Sequence, residues 1–174
     1  MPPDQPSPKS IKLTESLILV EFISDLFPSA HIFPTDPVQR AQARLFIDAV
    51  STKLVPAYVS LMLKDGDPEQ LVSALEHIQS LLLPEGQGDW ALGEAFSAAD
   101  ISIVPFLARI RLCLENDLGG FPGGKGEGAR ILAMLREPKL ARFNKYWAHL
   151  EARPSFAATW DGVSTAHCSD RPGQ

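Results

Sequence analysis

The stretch ISIVPFLARIRLCL, residues 101–114, is apolar around most of its circumference when read as a helix. Such a helix has no face to offer water, so it sits in the middle of a bundle with other helices around it. That demand constrains the fold more than any other feature of the chain. Pro105 lies inside the stretch and should kink it, because proline brings no N–H and crowds the preceding turn.

The surrounding helices are marked by their ends. Asp36-Pro37 and Asp67-Pro68 each place an N-cap before a proline at the first helical position. After the first, Val38, Ala41, Leu45 and Ala49 recur at helical spacing, with Arg40 and Arg44 on an adjacent face. Pro56 should bend that helix. After the second, Leu71, Leu75, Ile78 and Leu82 form a buried stripe that ends before Pro84. Nearer the N-terminus, Thr14-Glu15-Ser16 opens a helix through LILVEFISDLF, which Pro28 stops. There Thr14 is placed to cap, and Glu15 puts negative charge at the positive helix end. Ser97 reads as another N-cap, with Asp100 three residues on to complete a capping box. Leu140, Phe143, Trp147 and Leu150 make the last strong stripe, and Phe156 and Trp160 beyond Pro154 suggest a short docking helix.

Ile11-Lys12-Leu13 suffices for one short strand, and no alternating strand pattern follows. The pattern predicts an all-α bundle of six or so helices. Residues 119–128, GGFPGGKGEG, read as a flexible loop. Residues 1–10, with four prolines, and the tail 162–174 are expected to be disordered.

Bulk properties narrow the function classes. The net charge of -5 argues against nucleic acid and anionic membrane as partners. No apolar run is read as long enough for a bilayer, and no apolar stretch follows a basic start. Cys113 and Cys168 form no CxxC pair, which fits a reducing compartment and a cytoplasmic location. His31, His77, His149 and His167 have no ligand-like spacing, so no metal site is expected. Gly124-Lys125 lacks the following Ser or Thr of a phosphate loop.

Some residues admit two readings. Glu15 and Ser16 form either a plain helix start or an anion site built from a hydroxyl and free N–H groups. Ser97 and Asp100 are placed as a nucleophile and an acid, or as a capping box, and the capping box fits their position better. Cys113 reads as a core thiol. Tyr58, Phe106, Arg109 and Arg111 read either as core packing with surface charge or as the wall of a pocket for a flat hydrophobic substrate.

Four stretches resemble the glutathione transferase family: TESLILVEFI at 14–23, FPTDPVQRAQARLFID at 33–48, LGEAFSAADISIVPFL at 92–107 and YWAHLEARPSF at 146–156. Their order and spacing carry the match, and the second stretch looks most like fungal members of the omega-like branch. The resemblance implies a C-terminal helical bundle at 28–161. In front of it, residues 1–27 would be a remnant, the last strand and helix, of a thioredoxin-like domain. It implies that Glu15 and Ser16 match the pair that binds the γ-glutamyl end of glutathione, the co-substrate. Tyr58, Phe106, Arg109 and Arg111 would lie on helices lining the electrophile pocket, and Ser97 and Asp100 would support folding.

Nothing in 1–13 resembles the family's catalytic serine, cysteine or tyrosine, or its cis-proline turn, so no catalytic residue is assigned. The expected function is conjugation or reduction of small hydrophobic electrophiles with glutathione, in fungal detoxification or secondary metabolism, and very weak in the chain as written. The alternatives are an inactive binding or dimerisation module, pairing with itself or with a complete transferase, and a truncated gene model. On any of these, one apolar face of LILVEFISDLF is expected to be bare.

Overall fold

The computed structural model describes residue 7, residues 9–121 and residues 126–161. The expected disorder of 1–10 and 162–174 falls almost wholly outside these, as do Gly124-Lys125, His167 and Cys168. The elements are α1 (Ser16–Leu26), α2 (Pro37–Ala49), α3 (Val55–Leu63), α4 (Pro68–Leu81), α5 (Ala98–Glu115), α6 (Glu127–Leu135), α7 (Ala141–Glu151) and α8 (Pro154–Thr159).

Helix α5 is the axis of the bundle. Ile103, Leu107 and Ile110 are fully buried, and Leu114 nearly so. It lies against α2, α3, α6 and α7, while α4 closes the bundle across α2, α3 and α7. The stripes of α4 (Leu71, Leu75, Ile78, Leu82) and of the last strong helix (Leu140, Phe143, Trp147, Leu150) all point into this core. Asp36 accepts the Gln39 N–H at 2.8 Å, and Asp67 accepts the Glu69 N–H at 3.0 Å, so both Asp-Pro starts are capped as the sequence implies. The docking helix α8 stacks Phe156 on Trp160 at 5.8 Å, and neither ring is fully buried.

Three expectations are corrected. The face that α2 buries is Ala43, Phe46 and Ala49, whereas Val38 and Leu45 are 67% and 61% exposed. The helix carries two apolar stripes about a third of a turn apart. Periodicity finds both, but the core takes the one bearing the phenylalanine ring. Second, Thr14 does not cap α1: the N-cap is Glu15, at φ 71°, with no side-chain cap. Third, no strand forms at 11–13; Ile11 is 85% exposed, and among the described residues there is no strand for it to pair with.

At Pro56, where the sequence predicts a bend, the structure places a local widening of the helix just before the proline. Residues 50–54 widen into a π-turn, with the Val55 N–H reaching back to the Val50 carbonyl, so the helical run continues from Pro37 to Leu63. By length and composition that run would suffice to cross a membrane, which the sequence reading had not recognised. Here its Phe46 side packs in the core.

Helix α1 turns Leu17, Val20 and Ser24 toward the bundle, where Val20 packs against Phe33, Ala43 and Ala98. Its other apolar face is bare: Ile18, Phe22, Ile23 and Leu26 are between 44% and 55% exposed.

Candidate functional site

Helix α1, the α2–α3 junction and α5 enclose a cavity of about 480 Å³. Ser16 reaches it from α1, Ser51 from the π-turn, and Ile101, Pro105, Phe106 and Arg109 from α5. Its size is within the range of small-molecule sites. A wider groove of about 800 Å³ between α3 and α4 is open and ringed by charged and polar groups, including Lys53, Asp67, Glu69 and His77. Of the candidate site residues read from the sequence (Glu15, Ser16, Tyr58, Ser97, Asp100, Phe106 and Arg109), none lines it.

Three of the expected site residues, Ser16, Phe106 and Arg109, thus line one cavity. Phe106 and Arg109 are three apart on α5 and present one helix face. Arg109 is held by its own turn, donating from Nη1 to the Pro105 carbonyl at 3.2 Å. Tyr58 is not on the lining. It stands behind Phe106, edge to face at 6.4 Å, and braces that ring. Burial raises the Tyr58 pKa, the Cys113 thiol beside it adds to the rise, and the Arg109 charge opposes it. Cys113 itself is a buried thiol in α5, as the sequence suggests.

Arg111 leaves the site. Two residues past Arg109 on a helix, it projects from nearly the opposite side. It pairs with Glu151 and lies over the Trp147 ring at 4.7 Å. The sequence reading allows one or two arginines in the pocket, and of the two only Arg109 lines it.

Glu15 and Ser16 are exposed at the α1 N-terminus. Neither closes the helix end, and the positive φ of Glu15 departs from an ordinary cap. The first-turn N–H groups therefore have no side-chain acceptor, which suits an incoming carboxylate. The Glu15 carboxylate suits an ammonium. These are the two charged groups at the γ-glutamyl end of glutathione, so the residues present fit it.

Ser97 and Asp100 lie elsewhere, fully buried at the start of α5. Asp100 Oδ2 accepts the Ser97 N–H at 2.8 Å and the Ser97 hydroxyl at 3.0 Å. Asp100 Oδ1 accepts the Ala91 N–H at 2.9 Å and the Tyr146 hydroxyl at 2.9 Å. Burial pushes the Asp100 pKa up against these four donors. Neither residue lines the cavity, and the arrangement is that of a capping box extended to two further elements. Among the described residues no group of three or more His, Cys, Asp and Glu side chains is placed to hold a metal ion.

The sequence reading missed Ser51, Ile101 and Pro105 as lining residues. The available signal was the pair of prolines, Pro56 and Pro105, each inside a helix that faces the cavity.

A helical bundle around a buried axis, with a capping box at the start of that axis and a cavity against a preceding helix, defines a class of protein. Residues 62–152 match the family described as glutathione S-transferase, C-terminal domain. Glutathione transferase Omega 1C from Trametes versicolor is 49% identical, with a TM-score of 0.88 over 97% of this chain and 69% of that one. Omega 2S from the same fungus, solved in complex with 2,4-dihydroxybenzophenone, is 36% identical, with a TM-score of 0.86 over 99% of this chain and 73% of that one. A probable glutathione transferase omega-2 of Caenorhabditis briggsae is 31% identical over 83% of this chain and 55% of its own length. The chain belongs to the glutathione transferase family. It spans about half the length of the curated relatives it matches.

Proposed function

We propose that this chain is the co-substrate-binding, helical part of a cytoplasmic glutathione transferase of omega-like, fungal type. The observation that carries this reading is the meeting of Ser16, Phe106 and Arg109 around one cavity. Glutathione, when bound, supplies a thiol that conjugates or reduces an electrophile. The chain's own residues bind and orient. Ser16 and the first-turn N–H groups of α1 take the γ-glutamyl carboxylate, and Glu15 takes the ammonium. Phe106, braced by Tyr58, and Arg109 hold a flat apolar co-substrate. The benzophenone bound by the Omega 2S relative belongs to that shape class. Residues 1–27 are assigned to the glutathione-binding domain of the family and 28–161 to its helical domain. A role in detoxification or secondary metabolism accords with the fungal relatives.

The test is calorimetric titration of the full chain with glutathione and, separately, with 2,4-dihydroxybenzophenone. Ser16→Ala is expected to weaken only the first and Phe106→Ala only the second. Binding insensitive to both substitutions overturns the assignment. The bare face of α1 favours a second reading, a non-catalytic binding or dimerisation module. Its signature is binding of apolar ligands, or of a second chain, without any dependence on glutathione.

A further inference from the structure

Helix α7 and the turn after it carry four cations along one side. Arg142, Lys145, His149 and Arg153 follow one another at spacings of three, four and four, so they stack over successive turns. Each meets a different part of the segment 83–96 that leads from α4 to α5. Arg142 donates to the Leu83 and Gly88 carbonyls, both at 3.4 Å. Lys145 Nζ lies 2.6 Å from Glu85 Oε1, and His149 Nδ1 lies 3.0 Å from Asp89 Oδ1. The Arg153 guanidinium covers the Phe96 ring at 3.5 Å and the Trp90 ring at 5.4 Å. Within the segment the backbone bonds are short-range: the Gln87 N–H donates to the Pro84 carbonyl at 3.1 Å, and Trp90 and Gly93 exchange bonds at 3.0 and 3.2 Å.

One of these four ties can be switched by a proton in the neutral range. Histidine changes charge there, whereas lysine and arginine stay cationic. The Lys145 hydrogen bond and charge hold the Glu85 carboxyl below the usual carboxylate range, so that tie keeps its charge as well. His149 Nδ1 is shut off from solvent and has no hydrogen-bond partner, so a bare lone pair there would face the Asp89 carboxylate. A proton on Nδ1 turns the contact into an attraction, and a full imidazolium makes it a charge-assisted one. His149 also stands in the last turn of α7, where the helix end favours a cation. Glu94 shares a cleft of about 210 Å³ with Glu85, Asp89, Arg142 and Lys145, and its charge favours the imidazolium too. The charges on the other elements packed against α7 are placed elsewhere. In α4, Glu76 pairs with Lys139, while Glu69 and His77 line the groove toward α3. In α5, Arg111 pairs with Glu115 and Glu151, Asp100 accepts from Tyr146, and Arg109 lines the cavity. Helix α8 has no charged side chain.

We propose that His149 and Asp89 form a pH-sensitive latch on the segment 83–96, closed when the imidazole is protonated and eased when it is neutral. The charged partner is the protonated form, so the latch tightens as pH falls and loosens as pH rises. The latched segment carries Leu92, which packs on the cluster of Phe33, Ala43 and Ala98 that also seats Val20 of α1. Easing the latch therefore loosens one support of α1. The latch goes beyond the reading of the cavity and does not depend on it.

The test is amide hydrogen exchange of the full chain, followed by NMR and expressed as protection factors at about pH 5.5 and about pH 8, either side of the range in which histidine titrates. The hydrogen-bonded amides of Gln87, Trp90 and Gly93 report the segment. The wild type is expected to protect them about two- to fivefold more at the lower pH, the range of an ion pair that water partly screens. His149→Gln and Asp89→Asn are each expected to abolish that difference. Any response of Asp100 is common to all three proteins, so the contrast between wild type and variants isolates the latch. The Asp89 side chain is 66% exposed, so Asp89→Asn keeps the test decisive should His149→Gln fail to fold. No pH response in the wild type, or protection that increases with pH, overturns the proposal. So does a response that survives in either variant.

Discussion

Tyr146 donates its phenolic hydrogen to Asp100 Oδ1 at 2.9 Å, joining α7 to the first turn of α5 deep inside the bundle. Both side chains are fully buried. The same carboxylate holds the Ala91 N–H and the Ser97 N–H and hydroxyl, so one side chain ties four donors from three parts of the chain. This places Asp100 in the folding of the domain and away from the cavity.

Tyr146→Phe removes one of those donors and adds nothing in its place. A hydrogen bond to a charged acceptor contributes about 1.5–3 kcal/mol. The variant is therefore expected to lose about 2 kcal/mol of stability while keeping its helical circular dichroism. Urea unfolding measures it. A loss below about 0.5 kcal/mol would show that the bond contributes little.

The pH dependence follows from the raised pKa of Asp100. Folded Asp100 holds its proton to higher pH than the unfolded residue does. Its contribution to stability is present below the ordinary carboxylate range and is lost as pH rises through the raised folded value. Asp100→Asn does not titrate there. The wild type should therefore gain stability relative to this variant as pH falls from neutral into the carboxylate range. Unfolding of both proteins across that span cancels the groups they share. A stability gap that stays flat or narrows on acidification contradicts the burial argument.

The bare face of α1 gives a third test. Ile18 and Phe22 are four residues apart and expose adjoining apolar surface. The native chain should bind an apolar dye such as anilinonaphthalene sulfonate, as exposed patches do. Ile18→Lys with Phe22→Lys is expected to lower that fluorescence severalfold at unchanged helix content. Equal fluorescence in the two proteins would place the dye site elsewhere.

The central helix, both Asp-Pro starts, the α4 stripe and the capping box were legible because each is a local pattern with one physical reading. The buried face of α2 was not, since Val38 and Leu45 are as apolar as Ala43 and Phe46 and only the tertiary neighbours choose between them. The cavity was legible in part. Ser16, Phe106 and Arg109 could be named from resemblance, but their meeting depends on the approach of α1 to α5. The π-turn was hidden, because proline inside a helix predicts disruption without saying what form it takes.

Arg109 and Arg111 offer the sharpest division between site and scaffold, since two residues on one helix face nearly opposite ways. Arg111 pairs with Glu151 and covers Trp147, whose Nε1 also donates to Glu151 at 2.9 Å. Burial raises the Glu151 pKa, and the Arg111 charge is the largest effect holding it down. Arg111→Ala should therefore cost about 1 kcal/mol, a modest figure because the guanidinium is partly exposed and screened. Ligand affinity in the cavity should not change. Arg109→Ala should do the reverse. Its guanidinium is exposed and bonds only to its own turn among the contacts observed, so stability should move by less than about 0.5 kcal/mol. Affinity for 2,4-dihydroxybenzophenone should fall severalfold, because a cation beside an aromatic wall is lost. Urea unfolding and calorimetric titration of the two variants side by side decide the matter. If Arg111→Ala weakens the ligand as much as Arg109→Ala does, the cavity is not where the ligand sits.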